Sequence, residues 1–457
     1  MTSSLPSVPS PATRSPSVAS HAPGQAGGPA GQPSASGASE AAAHASLTMD
    51  QVWDTLQHAL SRTTTAEAPA AVRWISEHLP LVERAFLQRL DADPVSGARV
   101  GLGLAHALDW LGADDALRRT VLGIERVRGR LPPALADEVL VMVARDGVRR
   151  REGIDWLHEL GSVRDRAAQR RDDRLLGQAL RVLAQSAWQE GKATVAIDTA
   201  RQACALPEGE AAFLLLGNYL WGIGEHAAAE AAYVDALQRP ETRANPMRAA
   251  ALAANLASLM AEQARHAEAI KGFRFALRIQ TAAGALRHEL ILRSNLGMAL
   301  VDAGELAEAE EQLEQASALG RRALGGASSA APREGLVCLR LLQNDPAGAL
   351  SILNDGQLVD DADPWYDGQL RIWGAFARAA LGRRADAIAA AQAGAQRARA
   401  VNDRQAGPLL AELALIYIDR LDGLPLDLGR LAPAEAAAAR WQCLRIGLRL
   451  VYAAAAG

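Results

Sequence analysis

Leu216-Gly217, Leu256-Ala257 and Leu296-Gly297 recur at intervals of 40 residues, and the same series of small and apolar residues returns behind each pair. Gly224, Ala264 and Gly304 come next, then Ala229, Ala269 and Ala309, then Tyr233, Phe273 and Leu313, then Ala236, Ala276 and Ala316. A fixed period of this size marks a solenoid of stacked helical hairpins, because one such unit cannot bury its hydrophobic face alone. Small side chains at the Leu-small pair let two helix axes approach. Gly224 and Gly304 suit a tight turn at positive φ. Gly217 and Ala229 are therefore expected to resist enlargement, and Gly101, outside the clear repeats, is expected to matter less.

A chain of 457 residues would ordinarily divide into several globular domains. In a solenoid, length adds units and not core diameter. Aromatic residues make up 4% of the chain against 49% hydrophobic residues overall. That alanine-rich balance suits close-packed helices and not strands, which favour β-branched and aromatic side chains. The expected fold is all-α, a right-handed α-solenoid of antiparallel helix pairs.

Residues 1–46 are rich in Ser, Pro, Ala and Gly and are expected to be a disordered tail, since they cannot bury enough surface to offset their ordering entropy. Ser10-Pro11 and Ser15-Pro16 read as part of a passive tail. Residues 47–133 read as degenerate helical repeats. Thr48 and Asp50 cap the first helix, one helix runs from Arg73 to Leu90, a third segment stops at Gly112, and Leu131-Pro132-Pro133 is a break. Residues 134–400 form the array, clearest over 177–320, with turns at Gly191, Gly224, Ala264 and Gly304 and weaker copies around Asn344 and Gly382. Residues 401–457 are expected to cap the stack, with a last segment from Pro433 to Tyr452.

The constellation of Leu216-Gly217, Gly224, Ala229, Tyr233, Ala236 and a closing Pro240 resembles the tetratricopeptide repeat. The usual unit of that family is shorter by six residues, nearly two helical turns, so the resemblance implies helices about one turn longer. Long units of this kind are similar to those of kinesin light chain, bacterial peptide-pheromone receptors and the C-terminal arrays of signal-transducing ATPase regulators. Ala71-Val72-Arg73-Trp74 and Ala105-His106-Ala107-Leu108-Asp109-Trp110 resemble the start of the arrays in those regulators, whose nucleotide-binding domain has no counterpart here.

Little in the sequence points to chemistry. Gln189-Glu190-Gly191-Lys192-Ala193 lacks the earlier Gly and the hydroxyl of a phosphate loop, having Ser186 and Ala193 there. Gly222-Ile223-Gly224-Glu225-His226-Ala227 falls between two repeat helices, and no His pair has metal-ligand spacing. No catalytic residue, metal or cofactor is expected. Cys204, Cys338 and Cys443 are too sparse for a disulfide framework, which fits a reducing cytoplasm. No stretch reads as a secretory signal or a membrane span. A net charge of −4 supplies no bulk basic field for nucleic acid.

Asn218, Asn255 and Asn295 sit on successive first helices. In arrays of the family they resemble, those faces line the concave groove, where Asn bonds the backbone of an extended peptide. Asn218, Trp221, Asn255, Ser258, Glu262, Asn295, Met298 and Asp302 are thus expected on one partner-binding face, with Glu262 and Asp302 favouring a basic ligand. The competing reading has each Asn bonding a neighbouring helix. Leu214 and Ile291 stand where a terminal-carboxylate clamp would place basic residues. A secondary basic face carries Arg149, Arg150, Arg151, Arg170, Arg171 and Arg174, interleaved with Asp146, Asp165, Asp172 and Asp173. Glu305, Glu308, Glu310, Glu311 and Glu314 make a later helix acidic, and Asp360, Asp361, Asp363 and Asp367 are expected in a loop. That asymmetry would allow a homo-oligomer. The expected function is a non-catalytic bacterial scaffold or adaptor that binds a protein or peptide segment in the groove. The alternative is a regulator gated by a peptide or other ligand.

Overall fold

The computed structural model describes residues 47–151, 155–206, 210–323, 330–354, 364–400 and 406–456. The expected tail at 1–46, with its Ser-Pro pairs, and Asp360, Asp361 and Asp363 of the expected loop lie outside the described residues, whereas Asp367 of that loop stands in the first turn of a helix begun by Pro364.

The described residues are helical from Met49 onward, and no strand occurs among them. Helices α1 (Met49–Arg62), α2 (Ala68–Glu77) and α3 (Leu79–Ala92) open the chain. Thr48 caps α1 through a capping box with Gln51, the two groups serving each other's backbone N–H. The single helix expected over Arg73 to Leu90 is divided at His78. Pro80 enters the first turn of α3 and, having no N–H, cannot continue the preceding helix.

Antiparallel pairs follow. They are α4 (Pro94–Leu111) with α5 (Asp114–Val127), α6 (Pro133–Arg150) with α7 (Asp155–Arg170), and α8 (Asp173–Gln189) with α9 (Ala193–Cys204). Next are α10 (Glu210–Gly222) with α11 (His226–Gln238), the short α12 (Pro240–Ala244), and α13 (Pro246–Glu262) with α14 (His266–Ala282). Then come α15 (Leu286–Ala303) with α16 (Leu306–Ala323), α17 (Ala330–Leu342) with α18 (Pro346–Asn354), and α19 (Pro364–Ala380) with α20 (Arg384–Ala400). The chain ends with α21 (Ala406–Leu421), α22 (Leu428–Ala438) and α23 (Gln442–Ala456). The first helices of successive pairs touch one another in order, α4 to α6 to α8 to α10 to α13 to α15 to α17 to α19 to α21. They form the inner layer of the solenoid, and their partners form the outer one.

Every expected turn has a residue in the left-handed region. Gly224, Ala264, Gly304 and Asn344 have φ of +88°, +57°, +86° and +59°, spaced 40 residues apart, and Gly191 stands at +76°. Close approach is equally visible. A Cβ on Gly217 would run into the Tyr233 ring, and one on Gly297 would come within 2.5 Å of Leu313 Cγ.

Three expectations are corrected. Helices a turn longer hold for α13 to α16, of 17 or 18 residues, but α10 and α11 have 13 each. The first interval reaches its length by inserting α12, which Pro240 starts and Asn245-Pro246 ends. Gly101 is not a relaxed site, because a Cβ there would lie 2.6 Å from Ile124 Cγ2 and 2.7 Å from Phe86 Cε2. Pro433 lies inside α22 and does not start the last helix.

Both ends of the chain return to the middle of the array. Helix α2 packs on α13 and α14, and Arg73 Nη2 donates to the Thr281 carbonyl at 3.2 Å. Asp114 accepts from Arg149 and from Arg287, the latter 173 residues away. At the other end, α23 packs against α15, α17 and α21 of the inner layer.

Candidate functional site

The inner face has an open stretch and a covered stretch. The open stretch is a cavity of about 630 Å³ between α4, α6, α8 and α10. Each helix contributes residues one or two turns apart: Arg99, Gly103 and His106 from α4, then Glu138, Met142 and Arg145 from α6. Arg174, Gln178, Arg181 and Gln185 come from α8, and Leu214 and Leu215 of α10 close the far wall. Spacing of three, four and seven places such residues on one side of a helix.

The guanidiniums here are held in place. Arg145 bonds His106 Nδ1 at 3.1 Å and also pairs with Asp109, while Arg174 meets Glu138 at 2.7 Å. Arg99 is exposed and forms no ion pair among the described residues. His106 is pushed down to about 3, first by burial and then by Arg145 and Arg181, with Asp109 opposing them. Its ring is therefore neutral and lies in a positive field.

The eight residues expected on the partner-binding face fall mostly in the covered stretch. Asn218 is 4% exposed and accepts from the Tyr233 hydroxyl of its own hairpin. Trp221 is 3% exposed, and its Nε1 donates to Glu262 Oε2 at 2.6 Å. Asn218 is thus engaged within its hairpin and Trp221 between repeats. Burial pushes the Glu262 carboxyl up to about 7, against the Trp221 hydrogen bond and the charges of Arg440 and Arg445. Ser258 donates to the Ala254 carbonyl of its own helix. Asn255 and Asn295 are half-buried, and neither amide has a hydrogen-bond partner among the described residues.

Helix α23 covers the remainder. Arg445 reaches Asp302 Oδ2 through Nε at 2.8 Å and Nη2 at 2.6 Å, and donates also to the Ala261 and Glu262 carbonyls. Arg449 Nη1 donates to the Val301 carbonyl at 3.1 Å, and Gln442 Nε2 to the Met298 carbonyl at 2.7 Å. These carbonyls end α13 and α15, where the last turn leaves acceptors unpaired and a cation is favoured. Asp302 therefore has an intramolecular arginine where a basic ligand was expected.

The arginines of the expected basic face do not form one. Arg149 and Arg150 turn to Asp146, which Arg118 also meets. Arg166 and Arg170 both pair with Asp137. Arg151 and Arg171 are the left-handed residues that end α6 and α7. Arg174 alone of the six lines the cavity. Sequence reasoning missed Arg99, His106, Arg145 and Arg181. The available signal was the spacing of polar residues on α4, α6 and α8.

The two glycine-rich stretches are helical turns, with Lys192 paired to Glu190 at 2.6 Å. Among the described residues no cluster of His, Cys, Asp or Glu could hold a metal ion, and no helix is long and apolar enough to cross a membrane. The three cysteines are free, and burial pushes the Cys204 thiol up to about 12.

No protein-family model matches the chain, and no curated protein matches it by sequence. Among solved structures, the apo form of RapI aligns with a TM-score of 0.50 at 10% identity, covering 79% of this chain and 97% of that one. A Rap protein complexed with competence and sporulation factor gives 0.47 at 14% identity, covering 72% and 99%. A tetratricopeptide repeat protein from Parabacteroides merdae gives 0.41 at 15% identity, covering 60% and 98%. At these identities the likeness is one of fold. The chain has the tetratricopeptide-type architecture of paired antiparallel helices.

Proposed function

We propose that the chain is a non-catalytic protein-interaction module that takes a segment of a partner protein or peptide on its inner face. The observation that carries this reading is the cavity between α4 and α10, an open stretch of the inner face among the described residues. Its volume of about 630 Å³ is within the range of sites that enclose small ligands or a few side chains. Apolar walls at Leu214, Leu215 and Met142 offer burial, and the arginines offer orientation. The reducing cytoplasm is the compartment we assign, on the free cysteines.

A photoactivatable amino acid at Leu214, expressed in the native host, tests this. The expected result is a discrete adduct that the same group at Val195, exposed on an outer helix, does not give. Identical adduct patterns from both positions would sink the proposal.

A second reading, a ligand-responsive regulator, is favoured by one contact. Helix α4 lines the cavity and also packs on α15, where Gly112 lies against Arg287. A ligand that shifts α4 must disturb that contact. Unchanged hydrogen exchange at 286–294 on partner binding would leave the adaptor reading alone.

A further inference from the structure

The chemistry of the cavity says more about its occupant than its size does. Its lining carries the guanidiniums of Arg99, Arg145, Arg174 and Arg181 against the single carboxylate of Glu138. The chain as a whole is acidic, with a net charge of −4, so this concentration is local. Asp109 and Glu138 hold Arg145 and Arg174 in position without cancelling them, since a guanidinium has five N–H donors and a carboxylate partner uses at most a few. His106 lies within the field of these same arginines. After burial, the forces keeping it neutral are Arg145, Arg181 and Arg174, with Asp109 alone opposing them.

The cations come from separate backbone positions. They stand on three successive helices, and Arg174 and Arg181 are two turns apart on one of them, about 10 Å along its axis. A compact phosphate would need them to converge. Charges about three residues apart on an extended segment repeat at about 10 Å, and the leucines of α10 lie beside them.

We propose that this cavity is a recognition site for an acidic, extended peptide segment, its side-chain carboxylates on the arginines and an aliphatic side chain against Leu214 and Leu215. The proposal rests on the reading of the inner face as a segment-binding surface and names the class of segment. It reverses the charge preference that Glu262 and Asp302 suggest from the sequence, because those two are engaged by Trp221 and Arg445.

Selection of a random peptide library displayed on phage against the full chain tests it. The expected winners are acidic sequences with interspersed aliphatic residues. A synthetic winner should lose more than tenfold in affinity on the Arg99→Glu/Arg181→Glu variant and be weakened by added salt. It should bind equally as a C-terminal acid and as an amide. Circular dichroism of the variant, and a milder Arg99→Ala, keep a folding defect from passing as a binding one. Winners that are neutral or basic, that lose affinity only on Leu214→Asp, would overturn the acidic class and leave the segment-binding surface standing. Loss of binding on amidation would overturn the side-chain assignment in favour of a terminal carboxylate. An empty selection, or a single-stranded RNA oligomer binding at the same arginines more tightly than any peptide, would overturn both readings.

Discussion

The Arg445 guanidinium straddles one carboxylate oxygen of Asp302 across 143 residues of chain. Both side chains are largely withdrawn from water, Asp302 to 3% exposure and Arg445 to 15%. The remaining donors of the arginine go to the ends of α13 and to Ala438. One side chain thus fixes the last helix against the inner layer and adds donors at the carbonyl ends of two helices.

Removing one partner of such a pair leaves a buried charge alone. Arg445→Ala should therefore destabilise the chain by about 3–5 kcal/mol, and the Arg445→Ala/Asp302→Asn double variant by less. Urea melts of the two variants and the parent measure this. A double variant less stable than Arg445→Ala would show that the pair is not what holds α23 in place.

Ala264 is in the left-handed region at φ +57°, where its 40-residue neighbours are Gly224 and Gly304. A Cβ there costs about 1–2 kcal/mol, and glycine returns part of that through the unfolded chain. Ala264→Gly should raise stability by roughly 0.5–1 kcal/mol. A fall in melting temperature would mean that the alanine makes packing contacts which outweigh the strain.

Gly101→Ala should cost as much as Gly217→Ala, although Gly101 stands outside the clear repeats. The neighbours differ in kind: a flexible Phe86 and Ile124 at Gly101, one Tyr233 ring held by Asn218 at Gly217. Thermal melts within a few degrees of each other are the expected outcome. A neutral Gly101→Ala would show that Phe86 and Ile124 give way freely.

The turns of the array were legible because a left-handed residue every 40 positions leaves a mark that few residue types can make. The inner face was harder to read. Asn218 stands where Ser258 and Met298 follow 40 and 80 residues on, and its bond from the Tyr233 hydroxyl, which Phe273 and Leu313 cannot make, belongs to the packing of one hairpin. The cavity arginines recur only as stripes along single helices, a pattern that repeat alignment averages away. The docking of α23 has no local signature at all beyond Arg445 and Arg449, one turn apart on a helix buried at Leu444, Ile446, Leu448, Leu450 and Val451. A helix apolar on nearly every side must pack on more than one neighbour. What the sequence omits is which neighbours.

Glu334 supplies a pH prediction. Burial pushes its carboxyl up to about 7, against the hydrogen bond it accepts from Trp373 Nε1 at 3.0 Å. The folded state therefore keeps the proton after the unfolded state has released it. The stabilisation from this group is full below the ordinary carboxylate range and is lost as pH rises through about 7. Glu334→Gln keeps an acceptor for Trp373 and never ionises. It should melt higher than the parent at pH 8, by at most about 3 kcal/mol of stability, and equal it near pH 4. A gap of constant size across that range would assign the effect to packing.

Asp114 makes the last test, because it joins the N-terminal repeats to the middle of the array. Its carboxylate accepts from Arg149 of the adjacent hairpin and from Arg287 of the array's middle, with Arg150 Nη2 bonding its carbonyl at 3.1 Å. Asp114→Ala should leave Arg287 without its carboxylate while Arg149 keeps Asp146 at 3.1 Å. The loss is thus directed at closure and not at the hairpin. Hydrogen exchange should quicken at 283–290 and around Gly112 and stay unchanged at 137–148. A variant in which α6 loosens first would place the main work of Asp114 within the N-terminal repeats. If neither region changes, the packing of α2 on α13 and α14 is sufficient to close the array without it.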